Sequence, residues 1–137
     1  MPQTRLSLSR EWLLKSYHDF ASARKLAAGN DPYLDTAIYH CQQSAEKAIK
    51  GFLFFHNIAF EKIHDVRMLV KQASETDSSF SELMRDAKML TPYAAEFRYP
   101  NEANMPTKDE FNSAVDAADR IYRFVLSKHP ELDPDAI

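Results

Sequence analysis

Apolar residues recur along most of this chain at steps of three and four, the spacing that places them on one side of an α-helix. Five such stretches separate from one another. The first covers about residues 10–28, with Leu13, Tyr17, Phe20, Ala23 and Ala27 on its apolar side. Ser9 is placed to cap its start. Gly29-Asn30 stops it, because both residues tolerate the left-handed backbone conformation that ends helices. The second stretch opens on Asp31 as a cap with Pro32 at the first helical position, and runs to about His56. Its stripe of Leu34, Ile38, Cys41, Ala45, Ala48, Phe52 and Phe55 is continuous. The small residues Ala37, Ser44, Ala48 and Gly51 follow a neighbouring line, so a second helix can approach closely there. This predicts a long central helix contacted on two sides.

Residues 57–63 read as a connection. A short third helix follows over about residues 65–74, with Val66, Leu69, Val70 and Ala73 inward. Asp77-Ser78-Ser79 reads as a turn and cap, and a fourth helix starts near Phe80 with Leu83, Met84, Ala87 and Leu90 inward. Thr91-Pro92 interrupts it, since proline removes a backbone donor and disfavours helix at the residue before it; the helical pattern resumes over residues 93–97. Residues 99–106 form a polar loop. Thr107 and Glu110 make a capping box for a fifth helix with Phe111, Ala114, Val115, Ala118, Ile121, Tyr122 and Val125 inward. Asp116–Arg120 and Asp119–Arg123 are spaced four apart as ion pairs on its outer face. The last residues, 129–137, read as a polar, frayed tail, leaving 1–128 as one helical domain.

Composition narrows the class. The chain has 137 residues, a formal net charge of −3, two glycines and one cysteine. Two glycines exclude the common glycine-built phosphate loops and argue against a turn-rich β-sandwich. The expected fold is therefore an all-α, four- to five-helix bundle with up-and-down topology. Cys41 can form no internal disulfide and anchors no thiolate-rich metal site. No apolar run of about 18 residues and no leader-like start is present, which predicts a cytoplasmic protein with no membrane contact. The acidic balance means that any nucleotide or nucleic-acid contact comes from a local patch rather than from overall charge.

The residues with chemical potential are few. His18, His40, His56, His64 and His129 lie on separate stretches, and no metal-ligand spacing links them, so no metal and no cofactor is expected. Cys41 lies on an apolar stripe and reads as a small core residue. On the polar side of the second helix, Gln42, Gln43, Glu46, Lys47 and Lys50 crowd together. A solvated face with one Glu46–Lys50 pair accounts for them as well as a binding surface does. Phe97-Arg98-Tyr99-Pro100 sets a fixed charge beside an aromatic ring, which suits a phosphate and a base. It equally suits a helix stop, with Arg98 paired to a carboxylate.

These residues carry a resemblance. The stretch from Ala37 to Lys50, with Gln42-Gln43-Ser44-Ala45-Glu46-Lys47-Ala48-Ile49-Lys50 at its centre, resembles the signature helix of the HEPN (higher eukaryotes and prokaryotes nucleotide-binding) family. His64-Asp65-Val66 with Leu69-Val70 resembles the family's next segment, and Arg98-Tyr99-Pro100 its fourth-helix ending. The resemblance implies a helical bundle, a homodimer, and a small prokaryotic protein that acts beside a minimal nucleotidyltransferase in a two-component, toxin–antitoxin-like system. Many members are metal-independent ribonucleases whose motif is an arginine followed, after four to six residues, by a histidine. Here Arg98 matches the arginine, but the histidine positions hold Ala103, Asn104 and Met105. The imidazole that would take a proton near neutral pH is absent there.

The expected function is therefore binding. Arg98 neutralises the phosphate of a nucleotide or an RNA and Tyr99 stacks on a base. Lys47 and Lys50 add charge if they line the same cleft, and Glu46 holds Lys50 or Arg98 in place. The alternative is a ribonuclease that uses another base, with His40 as the nearest candidate. Nine Phe, six Tyr and one Trp on so small a bundle also favour a homodimer that covers an apolar face.

Overall fold

The computed structural model describes residues 3–97, 100 and 105–135. Among them are five α-helices and three short 3₁₀ turns, with no strand. The first helix, α1 (Arg5–Ala27), begins earlier than the apolar pattern indicates. Thr4 is its cap, its hydroxyl accepting the Ser7 N–H at 3.0 Å. Ser9 lies inside the helix and is buried. The inward face is Ser9, Leu13, Ser16, Asp19 and Ala23, whereas Tyr17, expected inward, is 52% exposed. The chain then reverses through Gly29, whose φ of 84° few other residues adopt without strain. The Tyr33 N–H closes the reversal on the Leu26 carbonyl at 2.8 Å. As a result α2 (Leu34–Phe55) starts after Tyr33 rather than after Asp31.

α1 and α2 pack antiparallel and very close. Arg5 reaches the Phe54 carbonyl at 3.1 Å, Ser16 Oγ donates to the Ser44 carbonyl at 2.6 Å, and Asp19 meets His40. The approach depends on small side chains. A Cβ added to Gly51 would stand 2.3 Å from Leu13 Cδ2 and 3.2 Å from Trp12 Cβ. This contact explains the inward face of α1: serines and a glycine admit a backbone that a stripe of large residues would hold off.

From His56 the chain turns back along α2, and Gln42 Nε2 donates to the His64 carbonyl at 3.3 Å. Asp65 caps α3 (Val66–Thr76) by accepting the Arg67 N–H at 2.9 Å. Asp77 caps the next segment, which opens as a 3₁₀ turn (Ser78–Leu83) before becoming α4 (Met84–Leu90). Phe80 and Leu83 are both buried, and a 3₁₀ turn puts residues three apart on one side. Beyond α4 the expected helix over 93–97 does not form. A 3₁₀ turn (Thr91–Ala94) follows around Pro92, and Phe97 has a φ of 69°.

The capping box at Thr107 and Glu110 forms in full and starts α5 (Lys108–Lys128). α4 runs antiparallel to α5, joined by Asp86–Arg120 and, beyond α4, by Tyr93–Glu110. The expected Asp116–Arg120 pair is thereby replaced. Arg120 donates its fork to Asp86 at 2.8 and 3.0 Å, while Asp119–Arg123 forms at 3.0 Å. The reading of residues 129–137 as frayed also needs correction. A 3₁₀ turn (Pro130–Leu132) folds back on α1, Leu132 is fully buried, and Arg10 Nε donates to the Glu131 carbonyl at 2.6 Å. No helix among the described residues is long and apolar enough to cross a membrane.

Because Gly51 sits where two helix backbones nearly touch, Gly51→Val should destabilise the bundle by about 1–3 kcal/mol through overpacking. Urea unfolding followed by circular dichroism checks this; unchanged stability would mean that α1 is free to move away from α2.

Candidate functional site

Two polar clusters are built on α2. The first lies between α1 and α2. Asp19, its side chain 10% exposed, accepts His40 Nδ1–H at 2.7 Å through one carboxylate oxygen and the Lys47 ammonium through the other. His40 and Lys47 are seven residues apart, two turns of helix, so one carboxylate on α1 meets both. With Nδ1–H committed to Asp19, Nε2 is the ring nitrogen left to face other partners. His40 also lines a cavity of about 260 Å³ together with Asp35, Thr36, Tyr39 and Phe97. Phe97 is the residue immediately before Arg98 in the chain. Arg98 and Tyr99, to which the sequence assigns the phosphate contact and the stacking face, lie outside the described residues, as do Ala103 and Asn104.

The second cluster corrects the picture of a solvated polar face. Glu46 and Lys50 are 4% and 5% exposed, and Gln42 is fully buried. Lys50 Nζ donates to Glu46 Oε2 at 2.9 Å and sits 5.9 Å from the Trp12 ring centre and 5.5 Å from that of Phe60. Gln42 Nε2 donates to Glu46 Oε1 at 3.2 Å. His64 Nδ1 lies 3.1 Å from Glu46 Oε2 and 3.4 Å from Lys50 Nζ, so it donates to the first in one tautomer and accepts from the second in the other. Lys47 and Lys50 thus belong to different clusters. Lys47 is bound to Asp19 beside His40, while Glu46 and Lys50 satisfy each other inside the bundle and tie the α2–α3 connection to α2.

Asp19 escapes sequence reading. A carboxylate beside Phe20 in mid-helix looks solvated, and only the close approach of α2 turns it inward. Cys41 is fully buried, and burial pushes its thiol up to about 12, so it is an inert core residue as its stripe indicates. The fold brings two of the five separate histidines together, with His56 Nε2 2.7 Å from His129 Nε2. No group of three or more metal-type side chains converges among the described residues.

The Glu46–Lys50 pair is buried enough for its loss to be measured. Lys50→Met strips the buried Glu46 carboxylate of its lysine counter-ion, leaving only Gln42 and His64 beside it, and should lower stability by about 3–5 kcal/mol. Adding Glu46→Leu should restore a large part of it, because the stranded charge is removed. A double-mutant cycle by urea unfolding tests the coupling; losses that simply add would show that the two groups act independently.

The structural comparisons agree with this fold. The chain is similar to the crystal structure of TT1696 from Thermus thermophilus, with 29% identity, a TM-score of 0.75, and coverage of 88% of this chain and 97% of that one. It shares its fold with an archaeal HEPN homologue, ST0689, at 24% identity and a TM-score of 0.69, covering 88% of this chain and 96% of the other. No curated protein matches the chain. The HEPN domain family model matches residues 9–129, which hold both polar clusters and nearly the whole bundle. The chain belongs to the HEPN domain family.

Proposed function

We propose that this chain is a HEPN binding module that takes the phosphate of a nucleotide or an RNA, without strong catalysis of its own. The observation that carries this reading is the Asp19–His40–Lys47 cluster beside a cavity lined by Phe97. One residue further on, Arg98 supplies the fixed positive charge and Tyr99 the stacking face. A guanidinium grips phosphate with two parallel hydrogen bonds, which an ammonium does not reproduce. Lys47 is half committed to Asp19, so the principal anion contact falls to Arg98. Glu46 and Lys50 act from inside, holding the helix that presents His40 and Lys47. Family membership supports a minimal nucleotidyltransferase as protein partner.

The test is Arg98→Lys, with ATP and a single-stranded RNA oligonucleotide as probes in calorimetric titration. Binding should weaken about tenfold or more while the melting temperature hardly moves. A fall in stability with unchanged affinity would make Arg98 a structural ion-pair residue. Binding undiminished in both Arg98→Lys and Arg98→Ala would overturn the assignment.

A second reading has one specific observation in its favour. The Asp19–His40 hydrogen bond leaves His40 Nε2 able to accept a proton, the arrangement of a positioned general base. His40 would then take the 2′-hydroxyl proton in a metal-independent ribonuclease. Incubating the same RNA with the protein and a chelator separates the two. Intact RNA fits the binding module, and cleavage abolished by His40→Ala makes the protein an enzyme.

We also propose a homodimer. An apolar groove of about 540 Å³ is lined by Leu8, Trp12, Leu14 and Phe54 and flanked by Glu11 and Lys15. Opposite charges at the edges of one patch are self-complementary across a two-fold axis. Sedimentation should give twice the 15.8 kDa chain mass, and Leu14→Lys should return it to 15.8 kDa. A wild-type monomer at tens of micromolar would overturn the dimer.

A further inference from the structure

We infer that His56 and His129 form an open site for a divalent transition-metal ion of the Zn²⁺, Co²⁺ or Ni²⁺ class, at the end of the bundle where α2 and α5 finish. Sixteen residues of α2 separate His56 from His40, a rise of about 24 Å along the helix, so this site is distinct from the His40 cavity.

The two Nε2 atoms face each other at 2.7 Å, which requires a single hydrogen between them. His129 Nδ1 lies 3.0 Å from Glu131 Oε1. That nitrogen therefore carries a proton and donates to the carboxylate, and His129 Nε2 is the bare acceptor. His56 Nε2–H is then the donor. When His56 carries its proton on Nδ1 instead, two bare Nε2 atoms face one point. A tetrahedral ion with metal–nitrogen bonds of about 2.0–2.1 Å holds its nitrogens roughly 3.3 Å apart. The rings need to part by only about 0.6 Å to admit it.

Three further features favour a cation there. The Glu131 carboxylate on His129 Nδ1–H is the outer partner that orients metal-bound imidazoles and raises their basicity. His56 is the C-cap of α2 and His129 the C-cap of α5, so the negative ends of two helix dipoles converge on the pair. The rings are held by aromatic packing: His56 lies 4.4 Å from the Phe52 ring and His129 4.8 Å from Phe55.

The site is open because no third protein ligand is present among the described residues. Asp77 lines the same cavity of about 400 Å³, but its Oδ1 accepts from the Ser79 N–H at 3.0 Å and hydroxyl at 2.6 Å, and its Oδ2 faces Lys128 Nζ at 3.5 Å. The cavity side of the ion is left to water or to an exogenous donor. Imidazole-rich, carboxylate-poor ligation selects the borderline metals over Mg²⁺ or Ca²⁺.

The experiment titrates the metal-free full chain with ZnCl₂ and NiCl₂, read by calorimetry, melting temperature and long-range ¹H–¹⁵N imidazole spectra. One equivalent should bind and raise the melting temperature. It should move the ring signals of His56 and His129 while leaving His18, His40 and His64 in place. Glu131→Gln should weaken binding about tenfold or more, as loss of an outer-shell partner does, and His129→Gln should weaken it further. Mg²⁺ should do nothing. No thermal shift at saturating zinc, ring shifts confined to the other three histidines, or undiminished binding in a His56→Gln/His129→Gln protein would each overturn the site. The spectra use the wild-type chain, so the outcome does not hang on a variant that folds poorly.

Discussion

A helix enclosed on most of its circumference must satisfy every polar group it carries from within the protein, and α2 is such a helix: 13 of its 22 residues are buried, among them Gln42, Ser44, Glu46 and Lys50. Each of these has its partner. Ser44 meets Ser16, Glu46 meets Lys50, and Gln42 bridges Glu46 and the His64 carbonyl. The neighbours of α2 are placed by these requirements as much as by apolar contact. α1 comes close enough for serine-to-carbonyl bonds only because Gly51 has no side chain. The α2–α3 connection returns along α2 because its His64 carbonyl is needed there.

The same constraint shapes the candidate site. Lys47 and Lys50 are three residues apart on one helix yet do different work. Lys50 lies beside the touching Trp12 and Phe60 rings with Glu46 as its counter-ion, a buried pair that fixes geometry. Lys47 shares Asp19 with His40, at the edge of a cavity. Asp19 therefore holds His40 in one tautomer and takes up part of the Lys47 charge. In a chain with a net charge of −3, both lysines of this helix thus have a carboxylate partner within the protein.

Local rules are readable where a residue acts on its own neighbours. Thr107 and Glu110 form the predicted capping box, Gly29 takes the left-handed turn, and Thr91-Pro92 interrupts the helix after α4. The small residues of α2 mark a close helix contact, and α1 makes it. The departures come from residues whose partners are distant in sequence. Spacing from Leu13 points Tyr17 inward, but the packed face of α1 is the one with Ser9, Ser16 and Asp19. Proximity along the helix pairs Arg120 with Asp116, but Asp86 offers both its carboxylate oxygens from α4. The chain end looks polar and free, yet Leu132 is buried and the Glu131 backbone is held by Arg10.

The sequence by itself determined the all-α class, the number of helices, the stops between most of them, and the HEPN signature on α2. These follow from periodicity, capping and backbone preference, which act over a few residues. Only the tertiary structure decided which polar residues are buried, that Asp19 joins His40 to Lys47, that Glu46 and Lys50 close on each other, and that His56 meets His129. These depend on the distance between two helix axes and on where chain ends return, quantities set by packing of side chains far apart along the chain. A polar residue on a helix reads the same in sequence whether water or another helix faces it, and only the fold supplies that neighbour.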